Sequence, residues 1–195
     1  EFANVSAPDL IRSIHLEYIQ AGARLLRTNT FAANRFALKV PREEQEEILR
    51  QGAVIAIKAA GESDVLVAAS IGPIRDGEAS EEDIYQEYRF MAKTIFRAGI
   101  RIFIFETFPE TTHLCRLAAE IKGCDRDVFI HTQFAFSSDG MTRDGHSFAR
   151  ITNEVAACGN IDGWGLNCGA GPSHLRRLAE QIPKGVKPIS VLPNA

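Results

Sequence analysis

The chain lacks any apolar run approaching the ~20 residues a membrane helix needs, and no signal-peptide pattern opens it. Cysteine is scarce, four in 195 residues, which excludes a disulfide scaffold and makes reduced cytoplasmic thiols the expectation. Neither charge dominates: 22 Lys plus Arg stand against 25 Asp plus Glu, for a net charge of −3. The basic residues are scattered, so there is no electrostatic footprint for nucleic acid. No G-x-G-x-x-G follows the first apolar run and no Walker A motif occurs, which weakens a nucleotide-binding reading. Ser- or Pro-rich linkers and low-complexity segments are also missing. At 45% hydrophobic and 24% charged residues, disorder is not expected either. The first residue is Glu1 rather than Met and the last, Ala195, follows a strand-like run, so a piece of a longer chain is expected.

What is present is an alternation. Runs rich in Val, Ile, Phe and Leu recur at Leu25–Phe31, Val65–Ile71, Ile100–Thr107, Val128–Phe136, Gly163–Cys168 and Pro188–Leu192, with starts 25 to 40 residues apart. Between them lie segments with helical spacing: Ile11, Ile14, Tyr18 and Ala21; Ile84, Tyr88, Met91 and Ile95; Phe148, Ile151, Val155 and Cys158; Leu175, Leu178 and Ile182. Ser6 and Ser80 each have an acid three residues on, which predicts capping boxes. Gly22, Gly61, Gly99, Gly123, Gly159 and Gly185 are expected to close helical stretches. Strands joined by crossovers this long form a parallel sheet. A doubly wound sheet and a (β/α)₈ barrel both satisfy the pattern. A barrel of about 250 residues spends about 31 on each unit, so residues 1–195 are expected to form one incomplete (β/α)₈ TIM barrel. It would hold about six of eight units, the first and last missing.

In such barrels the chemistry sits at the carboxyl ends of the strands. Those ends read Thr28-Asn29-Thr30, Ser70 to Pro73, Glu106-Thr107, Ser137 to Asp139, Asn167-Cys168 and Pro193-Asn194. Glu106 ends the run Ile-Phe-Ile-Phe-Glu, where strand alternation sets it with Ile102 and Ile104 on the expected interior face. It is either a structural ion pair, with Arg27 or Arg101 as partner, or a receptor for a substrate ammonium or a general base. Cys168 is a nucleophile, a metal ligand or a small buried hydrophobe. Cys115, Cys124 and Cys158 read as structural, and their spacing is not that of a zinc pair. His15, His113 and His174 are expected on partly exposed helix faces, His146 in a loop, and His131 as a core residue early in the fourth run. No histidine stands beside a Ser or Cys at a strand end, which argues against a Ser-His or Cys-His hydrolase. No lysine stands there either, which argues against a Schiff-base aldolase.

Several motifs carry a resemblance. Tyr18-Ile19-Gln20-Ala21-Gly22-Ala23, Thr28-Asn29-Thr30-Phe31, Ser70-Ile71-Gly72-Pro73, Phe105-Glu106-Thr107-Phe108, Gly165-Leu166-Asn167-Cys168 and Pro193-Asn194-Ala195 occur in the order found in the homocysteine S-methyltransferase domain, which the chain resembles along its whole length. The Glu-Thr-Phe and Leu-Asn-Cys motifs are the specific ones. The resemblance extends to bifunctional homocysteine methyltransferase–methylenetetrahydrofolate reductases and to the cobalamin-dependent methionine synthase module. It implies a zinc-dependent barrel that methylates homocysteine to methionine. Cys168 would be one of three zinc thiolates, the other two forming a Cys-Cys pair that this sequence does not contain. Glu106 would hold the homocysteine amino group, and Asn29, Thr30 and Asn194 match motif positions around the pocket. The family's Asp-Gly-rich first strand is absent, and Arg27 departs from the residue expected before Thr-Asn-Thr.

The implied chemistry needs no protein base, since zinc deprotonates a coordinated thiol and Glu106 only orients the substrate. No protein residue is therefore expected to be catalytic in the acid–base sense. The methyl donor stays open among methyltetrahydrofolate, methylcobalamin, betaine and S-methylmethionine. A C-terminal reductase or cobalamin domain in the full-length protein is an implied partner; nucleic acid and membrane are not. Two alternatives remain: a barrel fragment that cannot hold zinc, and another barrel enzyme of the aldolase or isomerase class.

Overall fold

The computed structural model describes residues 1–61, 63–75, 77, 79–182 and 187–194. Helices and strands alternate as α1 (Ala3–Ser6), α2 (Pro8–Gln20), β1 (Leu25–Arg27), α3 (Arg35–Leu38), α4 (Arg42–Ala60), β2 (Leu66–Ile71), α5 (Glu81–Arg97), β3 (Ile102–Phe108), α6 (Leu114–Cys124), β4 (Phe129–Phe134), α7 (Phe148–Ala157), β5 (Gly163–Asn167), α8 (Pro172–Ala179) and β6 (Ile189–Leu192). Each strand falls on one of the six apolar runs, β3 reaching one residue past its run to Phe108, and the strand order follows the chain, β1-β2-β3-β4-β5-β6. The chain divides into two compact units, Glu1–Phe103 and Ile104–Ala195, the boundary falling within β3.

In the first unit β1 pairs parallel with β2, Leu26 opposite Val67. Helix α4 packs against α1, α2, α5 and both strands, which its small inner residues Gly52, Ala53, Ala56 and Ala59 permit. Ser80 caps α5 as the spacing predicts, its hydroxyl accepting the Asp83 N–H at 3.1 Å. Ser6 does not cap: it ends α1, donates to the Phe2 carbonyl at 3.2 Å, and leaves Ala7 and Pro8 to open α2. The predicted stripe on α2 is also turned. Ile14 and Tyr18 are exposed, whereas Leu16 and Ile19 pack on Leu26, Ala59 and Ala60, and His15 is buried. Two apolar stripes share that helix, and contact with β1 and α4 selects the other one. Burial pushes the His15 pKa down.

In the second unit β4 pairs parallel with β5 and β5 with β6, His131 opposite Gly163 and Gly165 opposite Ser190. Trp164 meets Phe134 and Phe148 edge-on or tilted at 6.4 and 6.1 Å, forming the contact of the sheet with α7. Of the six expected helix-closing glycines, Gly22, Gly61 and Gly99 adopt positive φ. Gly123 lies inside α6, where Asp125 follows as the cap, and Gly159 keeps an ordinary φ; Gly185 lies outside the described residues. The cysteines differ from expectation as well. Cys115 on α6 and Cys158 after α7 are joined as a disulfide, Cα to Cα 5.8 Å, while Cys124 and Cys168 are free. The two half-cystines are 43 residues apart, one on α6 and the other just after α7, so only the fold brings them together.

Candidate functional site

The loop after β1 is held by residues far away in sequence. The Thr28 hydroxyl accepts the Ser70 N–H at 3.0 Å, and the buried Thr30 hydroxyl donates to the Ser70 carbonyl at 2.8 Å, tying the end of β1 to β2. Thr30 is therefore spent on structure through its side chain. Asn29 is half-buried, its amide donating to the Asn4 side chain at 2.9 Å, while the Asn4 amide donates to the Asn29 and Ile48 carbonyls. Gly52 makes this approach possible, since a Cβ there would sit 2.7 Å from both Asn4 Nδ2 and Thr30 Cγ2. Further along, buried Glu87 of α5 accepts from the Arg35 N–H at 2.8 Å and from Arg42 Nη1 at 2.7 Å, with Gln45 as a third donor. That buried carboxylate fixes the remainder of the loop through α3 and α4.

In the second unit Glu106 is 6% exposed near the carboxyl end of β3. The next residue, Thr107, has φ +64°, and so does Cys168 after β5, at +53°. A β-branched residue in that region carries strain of about 1–3 kcal/mol, which surrounding contacts must hold. One side chain supplies those contacts. Asn167, 4% exposed, accepts the Thr107 N–H through Oδ1 at 3.1 Å and donates through Nδ2 to the Thr107 hydroxyl at 2.8 Å; the same Nδ2 lies 3.6 Å from Cys168 Sγ. Cys168 is a half-exposed free thiol whose N–H donates to the Leu192 carbonyl at 3.0 Å. Gly169 follows at φ +67°, where any Cβ would collide with the Phe136 carbonyl. Asn194 is exposed, two residues beyond Leu192, which stands opposite Asn167.

Away from the strand ends, His131 Nε2 lies 2.7 Å from Ser190 Oγ, which also accepts from Gln133 Nε2 at 2.9 Å. Burial lowers the His131 pKa to about 4, so the ring is neutral at pH 7. The strand pattern places His131 in the core but gives no sign of its serine partner. On the rim of the same unit, the loop after β4 folds back on itself through Phe136–Thr142 and Met141–Ser147 bridges. There Arg150 and Thr111 hold the Glu154 carboxyl below its usual range.

A free thiol and a buried carboxylate held at strand ends, on a sheet of parallel strands in chain order, agree with the motif reading. The sequence profile of the homocysteine S-methyltransferase family matches residues 1–195. The chain belongs to the homocysteine S-methyltransferase family. It is 31% identical to homocysteine S-methyltransferase 4 of Zea mays over 97% of its own length and 64% of that protein's. It is 27% identical to methionine synthase of Mycobacterium leprae, over its full length but 17% of that protein's. The chain thus spans just under two thirds of the Zea mays relative. The metallated homocysteine methyltransferase MmuM of Escherichia coli superimposes with a TM-score of 0.79 at 22% identity, over 99% of this chain and 74% of that one. At that identity the likeness shows the fold: six strand–helix units of the incomplete barrel that the sequence pattern predicts.

Membership in the homocysteine S-methyltransferase family raises the question of a metal. Among the described residues no group of three or more His, Cys, Asp or Glu side chains is placed to hold one. Cys168 supplies one soft donor, so these residues do not complete a zinc site. Nor is any helix of the described residues long and apolar enough to cross a membrane. Asn29 and Thr30 belong to the first unit, and Glu106, Cys168 and Asn194 to the second. Asn167 and Thr107, the side chains that join two of the strand ends, were legible only as members of motifs.

Proposed function

We propose that this chain forms the homocysteine-accepting part of an S-methyltransferase that converts homocysteine to methionine. The observation carrying this reading is the pair of strand ends in the second unit, where buried Glu106 precedes a residue that Asn167 ties to the Cys168 end. Glu106 receives the amino group of homocysteine through a charge-assisted bond and fixes its orientation. Asn194, beyond the end of β6 in the same unit, borders the amino acid, while in the first unit Asn29 and Thr30 stand at motif positions of the family and Thr30 holds the β1 loop in shape. Cys168 would be this chain's donor to the zinc that the family resemblance implies, and that metal would supply a deprotonated thiol as nucleophile. With a single donor among the described residues, what this chain does by itself is bind and orient the amino acid. The methyl donor, a folate or cobalamin among the candidates, is met by other parts of the protein. The reading includes a cytoplasmic setting, which the low cysteine content supports, and a reductase or cobalamin domain as an associated module.

The test is direct. The full-length protein, purified with its metal, is supplied with L-homocysteine and in turn with methyltetrahydrofolate, methylcobalamin, betaine and S-methylmethionine. Methionine forms with at least one donor, and its formation is lost in Cys168→Ala. A zinc-loaded protein that forms methionine with none of them overturns the proposal. A second reading, that residues 1–195 alone cannot hold zinc, is favoured by the single donor. Stoichiometric zinc in the isolated chain by mass spectrometry would refute it.

A further inference from the structure

We propose that Asn167 is a positioning residue that sets the aim of Glu106. It does so by clamping the strained Thr107 kink to the end of β5. This rests on the homocysteine reading given above.

The observations concern one unit. Glu106 lies two residues before the end of β3, next to the positive-φ kink that Thr107 makes within the strand, and the direction of its side chain depends on how that kink is held. A β-branched residue does not stay at φ +64° unless its surroundings over-determine it. Asn167 does this with both ends of one amide: Oδ1 takes the Thr107 backbone N–H, and Nδ2 takes the Thr107 hydroxyl. Both bonds are partly buried, and an amide is the right group, since it offers an acceptor and a donor on one rigid plane. A carboxylate would lose the donor, and an alanine both.

The other side of the clamp is equally fixed. Asn167 pairs in register with Leu192 on β6, and the next residue, Cys168, also has positive φ and hydrogen-bonds to the Leu192 carbonyl. The Asn167 side chain therefore refers the position of the β3 end to the end of β5, across a sequence separation of 60 residues. Its spare N–H lies 3.6 Å from Cys168 Sγ, so the carboxylate end and the thiol end share one reference point. Asn167 spends its side chain on Thr107 and the Cys168 thiol, and so acts through Glu106.

The experiment is L-homocysteine titration calorimetry on the full-length protein, as wild type, Asn167→Ala, Asn167→Asp, Glu106→Gln and the Asn167→Ala/Glu106→Gln double variant. Losing the clamp weakens homocysteine about tenfold in both Asn167 variants, the scale of one buried hydrogen-bonded partner removed. In the Glu106→Gln background the same Asn167→Ala change has little further effect, because the group it aims has lost its charge. Thr107→Val, which keeps the shape and loses only the hydroxyl, weakens binding by a smaller factor, and Thr107→Ser restores it. Additive losses, equal with and without the Glu106 carboxylate, would overturn the proposal by making Asn167 a general structural residue. Wild-type affinity in Asn167→Ala would overturn it as well. If wild-type protein binds no homocysteine, the functional reading fails and this inference falls with it. If wild type binds and only the coupling is absent, the functional reading stands and this inference alone fails.

Discussion

Asn4 and Asn29 hold one another reciprocally: Asn29 Nδ2 donates to Asn4 Oδ1 at 2.9 Å, and Asn4 Nδ2 returns a bond to the Asn29 carbonyl at 2.8 Å. Asn4 is completely buried, and its second bond reaches the Ile48 carbonyl on α4. The four-residue helix α1 thus reaches across the first unit to hold the loop after β1. Asn4→Ala leaves two carbonyls and one amide short of partners, and a loss of about 2–3 kcal/mol is expected. Asn4→Asp, which keeps the shape but not the donor, should cost at least as much. Urea denaturation of the full-length protein checks both, and an unchanged midpoint would contradict the arrangement.

Glu87 makes the sharper prediction. Its buried carboxylate serves Arg42, the Arg35 backbone and Gln45, so Glu87→Ala removes the partner of Arg42 and of two further donors. A destabilisation of about 1–3 kcal/mol is expected, set by the Gln45 and Arg35 backbone donors left without an acceptor, since Arg42 is 38% exposed and can turn to water. Adding Arg42→Met to Glu87→Ala should recover little of that loss. Chemical denaturation of the single and double variants reads the difference directly.

His131 predicts a pH dependence. Its pKa in the folded chain is about 4 against an ordinary 6.5, so between those values the unfolded chain binds the proton that the folded chain refuses. Stability is therefore full above pH 6.5 and falls as the pH drops toward 4, by at most about 3 kcal/mol. His131→Gln, which can still bond to Ser190, should flatten the curve in that window. Thermal melts at pH 7.5, 6, 5 and 4.5 provide the check; an equal slope in the variant would assign the effect to another group.

Thiol labelling distinguishes the four cysteines. Iodoacetamide applied to the folded protein under non-reducing conditions should modify Cys124 and Cys168 and leave Cys115 and Cys158 linked in one peptide pair. Labelling at all four without a reductant would contradict the pairing.

The parallel strands were legible because a buried parallel strand is apolar on both faces, and six such runs with helical spacing between them allow few topologies. The candidate site residues were read from the small polar residues that close each apolar run. What escaped is what depends on distant partners. Nothing near Asn4 announces that it will hold Asn29, and nothing near Cys115 points to Cys158. On α2 two apolar stripes compete, and periodicity alone favours Ile14 and Tyr18 over the Leu16 and Ile19 stripe that packs inward beside buried His15. Ser6 fits a capping pattern, but Pro8 opens the helix two residues later. Asn167 stood in plain view as part of Leu-Asn-Cys, yet its grip on Thr107 exists only once β3 and β5 belong to the same sheet.

The central claim is that Glu106 receives the amino group of homocysteine, and titration of L-homocysteine into full-length wild type and Glu106→Gln measures it most directly. The account predicts binding by the wild type and a loss of about tenfold to a hundredfold in the variant, with melting temperatures that stay close. Equal affinity in the two proteins would contradict it.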